Sequence, residues 1–458
     1  MRRPNVVLVF MDDWTHWALT SGQVHTPNLD RLAAGGTLFT HAVNQGSWTG
    51  AVCVASRAML VSGRSLFHAQ AAVDDSSDTP LLGEVFGAAG YRTFFTGKWH
   101  NPQRALRRGY QEIGPYAGAM LTPARLPDGS QDVGRPAPGN TWDPADPAGE
   151  GHWMRVDGEV VHSSRRWVDS ALSFLDSAAG GADPFFLHLA LHAPHDPRQA
   201  PARWLDRYPA HEVRLPPNML PEHPFDQGDR LIRDELLAPF PRTPEAVRLH
   251  RREYFAIASH ADEQIGRLLD DLDRRGLAGD TIVVFSGDHG LALGEHGLMG
   301  KQSLYDHSVR VPLVLAGPGV RSGVRDDRLV YQASIFPTLC ALTGVPAPAT
   351  VEFPSLTESG DDEPVFLAYR HLQRGVRTRR WALIAYAPAR RIQLFDVIAD
   401  PWQTRDLAAD PAHGDTVRGL LAALRRRQGE LADPSGGWAD QIDESWHRTE
   451  DSTAGHAV

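Results

Sequence analysis

The run Val6-Val7-Leu8-Val9-Phe10, followed by Met11 and the acid pair Asp12-Asp13, decides the fold. Its residues are apolar and mostly β-branched, with no polar face. That is the pattern of a parallel strand buried on both sides, not of a half-exposed one. The run is too short for a signal-peptide core and meets two carboxylates at once. No apolar stretch approaches the length of a membrane span. A cytoplasmic protein with no membrane partner is the expectation.

Working outward, further apolar runs alternate with helical patterns. Tyr91 to Thr96 leads into Gly97-Lys98-Trp99-His100, and Phe185 to Leu191 leads into His192-Ala193-Pro194-His195-Asp196. Thr281 to Phe285 leads into Ser286-Gly287-Asp288-His289, and Arg310 to Gly317 reads as another strand. Helices are predicted at Pro27 to Leu32, Leu81 to Ala89, Ser164 to Ser177 and Ser334 to Leu342. A long one starts near Pro244, with Tyr254, Ile257, Ala261, Ile265 and Leu268 inward. This alternation is α/β. Beyond about residue 350, the short runs Val365 to Tyr369, Trp381 to Tyr386 and Ile392 to Phe395 read as a small antiparallel sheet, with a helix from Ala412 to Leu431. The expected organisation is an α/β catalytic domain over 1–350, an α+β subdomain over 351–433 and a loosely held polar tail over 434–458. Residues 115–152 and 198–243 are Pro-rich and aperiodic, the composition of surface insertions that often rim a site.

A chain of 458 residues suits one large domain and a smaller one. The net charge is −10, and no block of five like charges occurs. Arg374 and the Arg377-Thr378-Arg379-Arg380 patch read as solvated surface, with contact to a second anionic group of a substrate as the other reading of Arg374 and Arg377, and no nucleic-acid footprint is present. Two cysteines, Cys53 and Cys340, make no disulfide framework.

Four of the predicted strands end on ionisable residues, and ligands bind beyond the carboxyl ends of strands in open parallel sheets. Asp12, Asp13 and Asp288 supply hard oxygen ligands, and His289 a ligand or an outer contact. Three carboxylates so close call for a divalent cation. Lys98, His100, His192 and Lys301 add positive charge and proton-transfer groups. Metal, lysines and histidines together suit an oxyanion ester. Cys53 opens a helical segment with Arg57 four residues on and a stop at Gly63. By itself it reads as a thiolate nucleophile or as a small buried hydrophobe.

These motifs resemble the formylglycine-dependent type I sulfatases of the alkaline-phosphatase-like superfamily, over most of residues 4–405. The resemblance rests on Val6 to Asp13, Thr26 to Ala33, Cys53-Val54-Ala55-Ser56-Arg57 with Gly63-Arg64, and Gly97 to His100. It rests also on His192 to His195, Ser286 to Gly290, Lys301 with Tyr305 to Ser308, and Phe395-Asp396 with Asp400-Pro401-Trp402. It implies a large mixed, mostly parallel sheet flanked by helices. It also implies that Cys53 is converted to formylglycine by a maturase, and that the hydrated aldehyde attacks sulfur. Asp12, Asp13, Asp288, His289 and the modified Cys53 would then hold the cation, usually calcium, with magnesium or manganese as alternatives. Arg57 would steady the diol, and Lys98 and Lys301 would hold sulfate oxygens. His192 would contact sulfate or protonate the leaving oxygen, and His100 would help eliminate sulfate. His195 is a ligand-side or a structural residue.

Ala55 departs from the family's commoner proline and bears on maturation. The stretch Leu220 to Asp226, with Ile232-Arg233-Asp234-Glu235, resembles bacterial relatives of iduronate and choline sulfatases. A sugar, alkyl or aryl sulfate is the expected substrate. The alternatives are a phosphodiesterase or phosphonate monoester hydrolase on the same scaffold, and an inactive sulfated-glycan binder. Trp14, His16, Trp48 and Trp99 are rim candidates, with ordinary packing as the other reading.

Overall fold

A computed structural model describes residues 3–119, 121, 143–147, 151–358, 363–434, 442 and 446. Fifteen strands are present among the described residues. In chain order they are β1 (Asn5–Met11), β2 (Thr37–Val43), β3 (Gly46–Ser47), β4 (Arg92–Lys98), β5 (Glu112–Ala117), β6 (Trp153–Val156), β7 (Glu159–His162) and β8 (Phe185–Leu191). They continue with β9 (Thr281–Gly287), β10 (Arg310–Ala316), β11 (Val324–Tyr331), β12 (Val365–Tyr369), β13 (Gln373–Arg377), β14 (Trp381–Tyr386) and β15 (Arg391–Asp396).

Eight strands form one sheet in the order β11-β2-β10-β9-β1-β8-β4-β5, and only β10 runs antiparallel to its neighbours. All seven residues of β1 are buried. Val6, Leu8 and Phe10 enter one core, together with Ala55, Ala58 and Leu60 of the Val52–Ser62 helix. Val7, Val9 and Met11 enter the opposite core, against Tyr254, Ile257, Ala261, Ile265 and Leu268 of the Pro244–Arg274 helix. A strand that feeds two cores cannot alternate polar with apolar residues, which is why the run is continuous. The long helix starts where its sequence signals place it. The Thr243 side chain accepts a hydrogen bond from the Ala246 amide, and Pro244 occupies the first turn.

The second sheet, β15-β14-β13-β12-β3, is antiparallel through β12 to β15, and β3 adds parallel to β12. That pairing ties the small sheet to the chain just before Cys53. Gly46 makes it possible: its φ is 99°, and a Cβ there would stand 1.9 Å from the Ala368 carbonyl oxygen. A β6–β7 hairpin stands apart from both sheets.

Strands β2, β3, β5, β6, β7, β11 and β13 have no sequence-based expectation to match. They are short, partly polar, or placed at a sheet edge. Residues 120, 122–142 and 148–150 of the expected 115–152 insertion lie outside the described residues. In the 434–458 tail, Pro434, Ile442 and Trp446 are described; Pro434 is exposed, and Ile442 and Trp446 are buried in the core.

Candidate functional site

Strands β9, β1, β8 and β4 are adjacent, and their ends are level. Met11 pairs with Gly287 on one side and Leu191 on the other, while Gly97 pairs with Ala190. Asp12, Asp288 and His192 therefore leave the sheet at one height, beside Lys98. Gly97 allows β4 to come so close. Its φ is 106°, and a Cβ would stand 1.7 Å from the Ala190 carbonyl oxygen. Asp13 and His100, just past β1 and β4, take left-handed φ values of 61° and 59°. Such non-glycine conformations cost about 1–3 kcal/mol each and cluster at functional sites.

The three carboxylates each have a basic partner. Lys98 Nζ donates to Asp12 Oδ2, and Lys301 Nζ donates to Asp13 Oδ1 at 2.7 Å. Arg57 Nε donates to Asp288 Oδ2 at 3.1 Å, and its Nη1 donates to the Lys98 carbonyl at 3.0 Å. Asp288 Oδ1 accepts from the Asp13 and His289 amides at 3.1 and 2.9 Å. All six side chains are buried. The charges nearly balance, yet Asp12 Oδ1, Asp13 Oδ2 and His289 Nε2 are buried with no hydrogen-bond partner. Buried lone pairs left this way are costly unless something else binds them.

The donor set fits a divalent cation. One ligand atom from each of Asp12, Cys53, Asp288 and His289 lies within 4.8 Å of the others, and Asp12, Asp13 and His195 form an overlapping set. Ligands on opposite sides of a calcium ion stand up to about 5 Å apart. His289 Nδ1 donates to the Gly290 carbonyl at 3.0 Å, which leaves Nε2 as the lone-pair nitrogen facing the carboxylates. The His195 Nδ1 is likewise spent on the Asp196 carbonyl at 2.7 Å.

Electrostatics sort the groups. Burial alone would raise Asp12, but Lys98, His195, Lys301 and Arg57 together hold its carboxyl well below the usual range. Burial, reinforced by Asp12, pushes Asp288 well above it despite Arg57. Burial opposes ionisation of Cys53, yet Lys98 and Lys301 bring its thiol below the ordinary value. Its Sγ lies 3.1 Å from His100 Nδ1. Burial, then Lys98, lowers His100 to about 3 and His192 well below the usual imidazole value. Both are neutral bases or acceptors in this state. Neither ring nitrogen of His192 has a partner, and the ring rests against Trp167.

All the sequence-predicted residues thus meet at one sheet edge: Asp12, Asp13, Cys53, Arg57, Lys98, His100, His192, Asp288, His289 and Lys301. The rim candidates divide differently. Trp14 and Trp99 are buried packing residues, the first edge-on to Phe285 and the second to Phe95. Trp48 is half-buried against the core, and His16 is half-buried. Arg374 and Arg377 correct an expectation. Both are buried, Arg377 on Asp306 and Arg374 on Asp433, because β13 turns them inward onto acids remote in sequence. Sequence reasoning gave no role to Asp196, Arg233, Asp234 and Gln302, which brace the site. The only signal was the family-like Ile232 to Glu235 stretch. A surface cavity of about 540 Å³ beside Phe39, Leu315 and Arg328 contains none of these groups.

Strand ends carrying an acid cluster, two lysines and a buried cysteine have the chemistry that suits an anionic ester. The sulfatase family model matches residues 4–345, and the model for the C-terminal region of N-sulphoglucosamine sulphohydrolase matches residues 294–430. The chain belongs to the sulfatase family and is a sulfuric ester hydrolase. It is 28% identical to an ulvan-active sulfatase of Formosa agariphila, covering 94% of this chain and 82% of that one. It is 26% identical to a choline-sulfatase of Rhizobium meliloti, covering 92% and 86%. In fold it is similar to the phosphonate monoester hydrolase of Silicibacter pomeroyi, with a TM-score of 0.72, 21% identity, and coverage of 94% and 96%. Among the described residues, no helix is long and apolar enough to cross a membrane.

Proposed function

We propose that this sulfatase splits a sugar or alkyl sulfate using residue 53 as formylglycine and a cation held by Asp12, Asp13, Asp288, His289 and residue 53. The observation that carries the reading is the set of orphaned Asp12, Asp13 and His289 ligand atoms beside Cys53. When bound, the cation supplies Lewis acidity and the hydrated aldehyde supplies the attacking oxygen.

The chain's own residues do the rest. Arg57, fixed between Asp288 and the Lys98 carbonyl, orients the group at position 53. Lys98 and Lys301 present preorganised positive charge to the sulfate oxygens in a buried site, where it acts more strongly than in water. His100, neutral and 3.1 Å from the residue 53 side chain, accepts its proton during sulfate release. His192 has two uncommitted ring nitrogens and serves the leaving oxygen. Because burial and Lys98 hold it neutral, the anionic substrate must offset that charge before His192 can donate a proton. The names of the ulvan-active and choline relatives support a saccharide or small alcohol as the leaving group.

The deciding experiment is mass analysis of the peptide containing residue 53, with sulfate release measured on the same preparation. Loss of the sulfur together with sulfate release is expected. Full sulfate release from protein that retains the cysteine would sink the mechanism. The second reading, supported by the likeness to a phosphonate monoester hydrolase, is hydrolysis of phosphonate monoesters or phosphate diesters in the same cradle. Paired sulfate and phosphonate esters of one alcohol separate the two. A higher kcat/KM on the phosphonate ester favours the second.

A further inference from the structure

Lys301 has two acidic neighbours, and only one belongs to the acid cluster. Its Nζ lies 2.7 Å from Asp13 Oδ1 and 3.9 Å from Asp234 Oδ2. Asp234 comes from the irregular 198–243 stretch and is buried. Its Oδ2 accepts from Gln302 Nε2 at 2.6 Å, and its Oδ1 accepts from Arg233 Nη1 at 2.7 Å. Arg233 also donates to both oxygens of Asp196, the residue after His195.

The same turn grips the backbone that carries Lys301. Glu235 accepts from the Met299 and Gly300 amides at 3.0 and 2.9 Å and is anchored by Arg242 at 2.6 Å. Gln302 Oε1 accepts from the Lys301 amide at 3.0 Å, and Gln302 Nε2 donates to the Gly50 carbonyl at 3.0 Å, three residues before Cys53. The turn at Arg233 to Glu235 is thus joined to the Lys301 loop, the Cys53 loop and the His195 loop at once.

From this clamp we infer that Asp234 is a positioning residue for Lys301. It holds the ammonium in the sulfate cradle when the Asp13 carboxylate is committed to other ligands. Without a second anchor, Lys301 would follow Asp13 and be lost to the substrate. The inference rests on the reading of Lys301 as a sulfate-binding group.

The test is a double-mutant cycle on the full chain with the cation bound, reading kcat/KM for a sulfate ester and inhibition by inorganic sulfate. Asp234→Asn is expected to lower kcat/KM and to raise the sulfate inhibition constant, each by about tenfold to hundredfold. Asp234→Glu, which keeps the charge, is expected to restore most of both. In a Lys301→Met background, or Lys301→Arg where Met does not fold, Asp234→Asn is expected to cost less than about twofold. Equal losses in the two backgrounds, or no loss in the parent, would overturn the inference while leaving the sulfatase reading intact. A Lys301→Met protein with parental kcat/KM and parental sulfate inhibition would overturn the role of Lys301 itself, and this inference with it.

Discussion

Two buried sets of ion pairs are built on opposite rules. On strand β13 of the small sheet, two arginines saturate their carboxylates. Asp306 receives Arg377 through both oxygens, Nε and Nη2 each at 3.1 Å, with Arg310 3.6 Å away. Asp433 is gripped the same way by Arg374, at 2.6 and 2.8 Å. At the strand ends, Asp12 and Asp13 each give one oxygen to a lysine and keep the other unpaired. Bidentate arginine pairs fix geometry and leave nothing over for a ligand. Point-charge lysines on single oxygens leave lone pairs aimed at a common spot. The difference separates Asp306 and Asp433, whose oxygens are all spent within the fold, from Asp12 and Asp13, which each keep an oxygen free of protein partners, although all four side chains are buried.

The largest effect is expected at the proposed nucleophile position and its neighbouring acid. Cys53→Ala and Asp13→Ala are each expected to lower turnover at least about 10³-fold, with circular dichroism melts showing little loss of folding. Wild-type-like rates in either would end the mechanism. On the saturated side the effects reverse. Arg377→Met strands a buried Asp306 and is expected to cost about 3 kcal/mol of stability, read by denaturant titration, while the folded fraction keeps its kcat.

Chelation sharpens the contrast. Stripping divalent cations is expected to abolish most turnover and to lower the melting temperature. The loss corresponds to about 2.7 kcal/mol for a cation present at a hundred times its Kd. Returning calcium restores both in the parent, and Arg377→Met responds to chelation by the same increment.

The smallest effect is in acid. Burial would raise the Asp306 carboxyl, but Arg377, then Arg310, pull it below the ordinary 3.8. A depressed folded value gives stability that is fully present above about pH 4 and is lost as the pH falls below it. Asp306→Asn is expected to flatten that acid limb of the stability curve. An unchanged slope between pH 4 and 2 would show that the pair is not coupled to folding.

Much of this was legible because strand β1 and its neighbours are short apolar runs that stop on charge. Such a run needs two covering cores, and the charged residues after it can only lie at the sheet edge. Asp12, Asp13, Lys98, His192, Asp288 and His289 are therefore readable as one site from the sequence. Cys53 and Arg57 joined them through their helix start, and the family resemblance gave them roles. Arg374 and Arg377 were misread as solvated because strand β13 carries two arginines and a glycine, with little apolar signal. Their acids, Asp433 and Asp306, lie 59 and 71 residues away. The Arg233 to Glu235 clamp was invisible for a related reason. Its irregular loop has no period, and its partners arrive from Asp196, Gly300 and Gln302.

The sequence alone determined the α/β class, the strands that build the site and the residue types that carry its chemistry. Those follow from local periodicity and from where charge interrupts it. Only the tertiary structure decided which oxygens stay unpaired, which arginines are buried, and how Asp13 and His100 turn with positive φ into the cluster. Those depend on contacts between residues far apart in the chain, and local pattern carries no record of them.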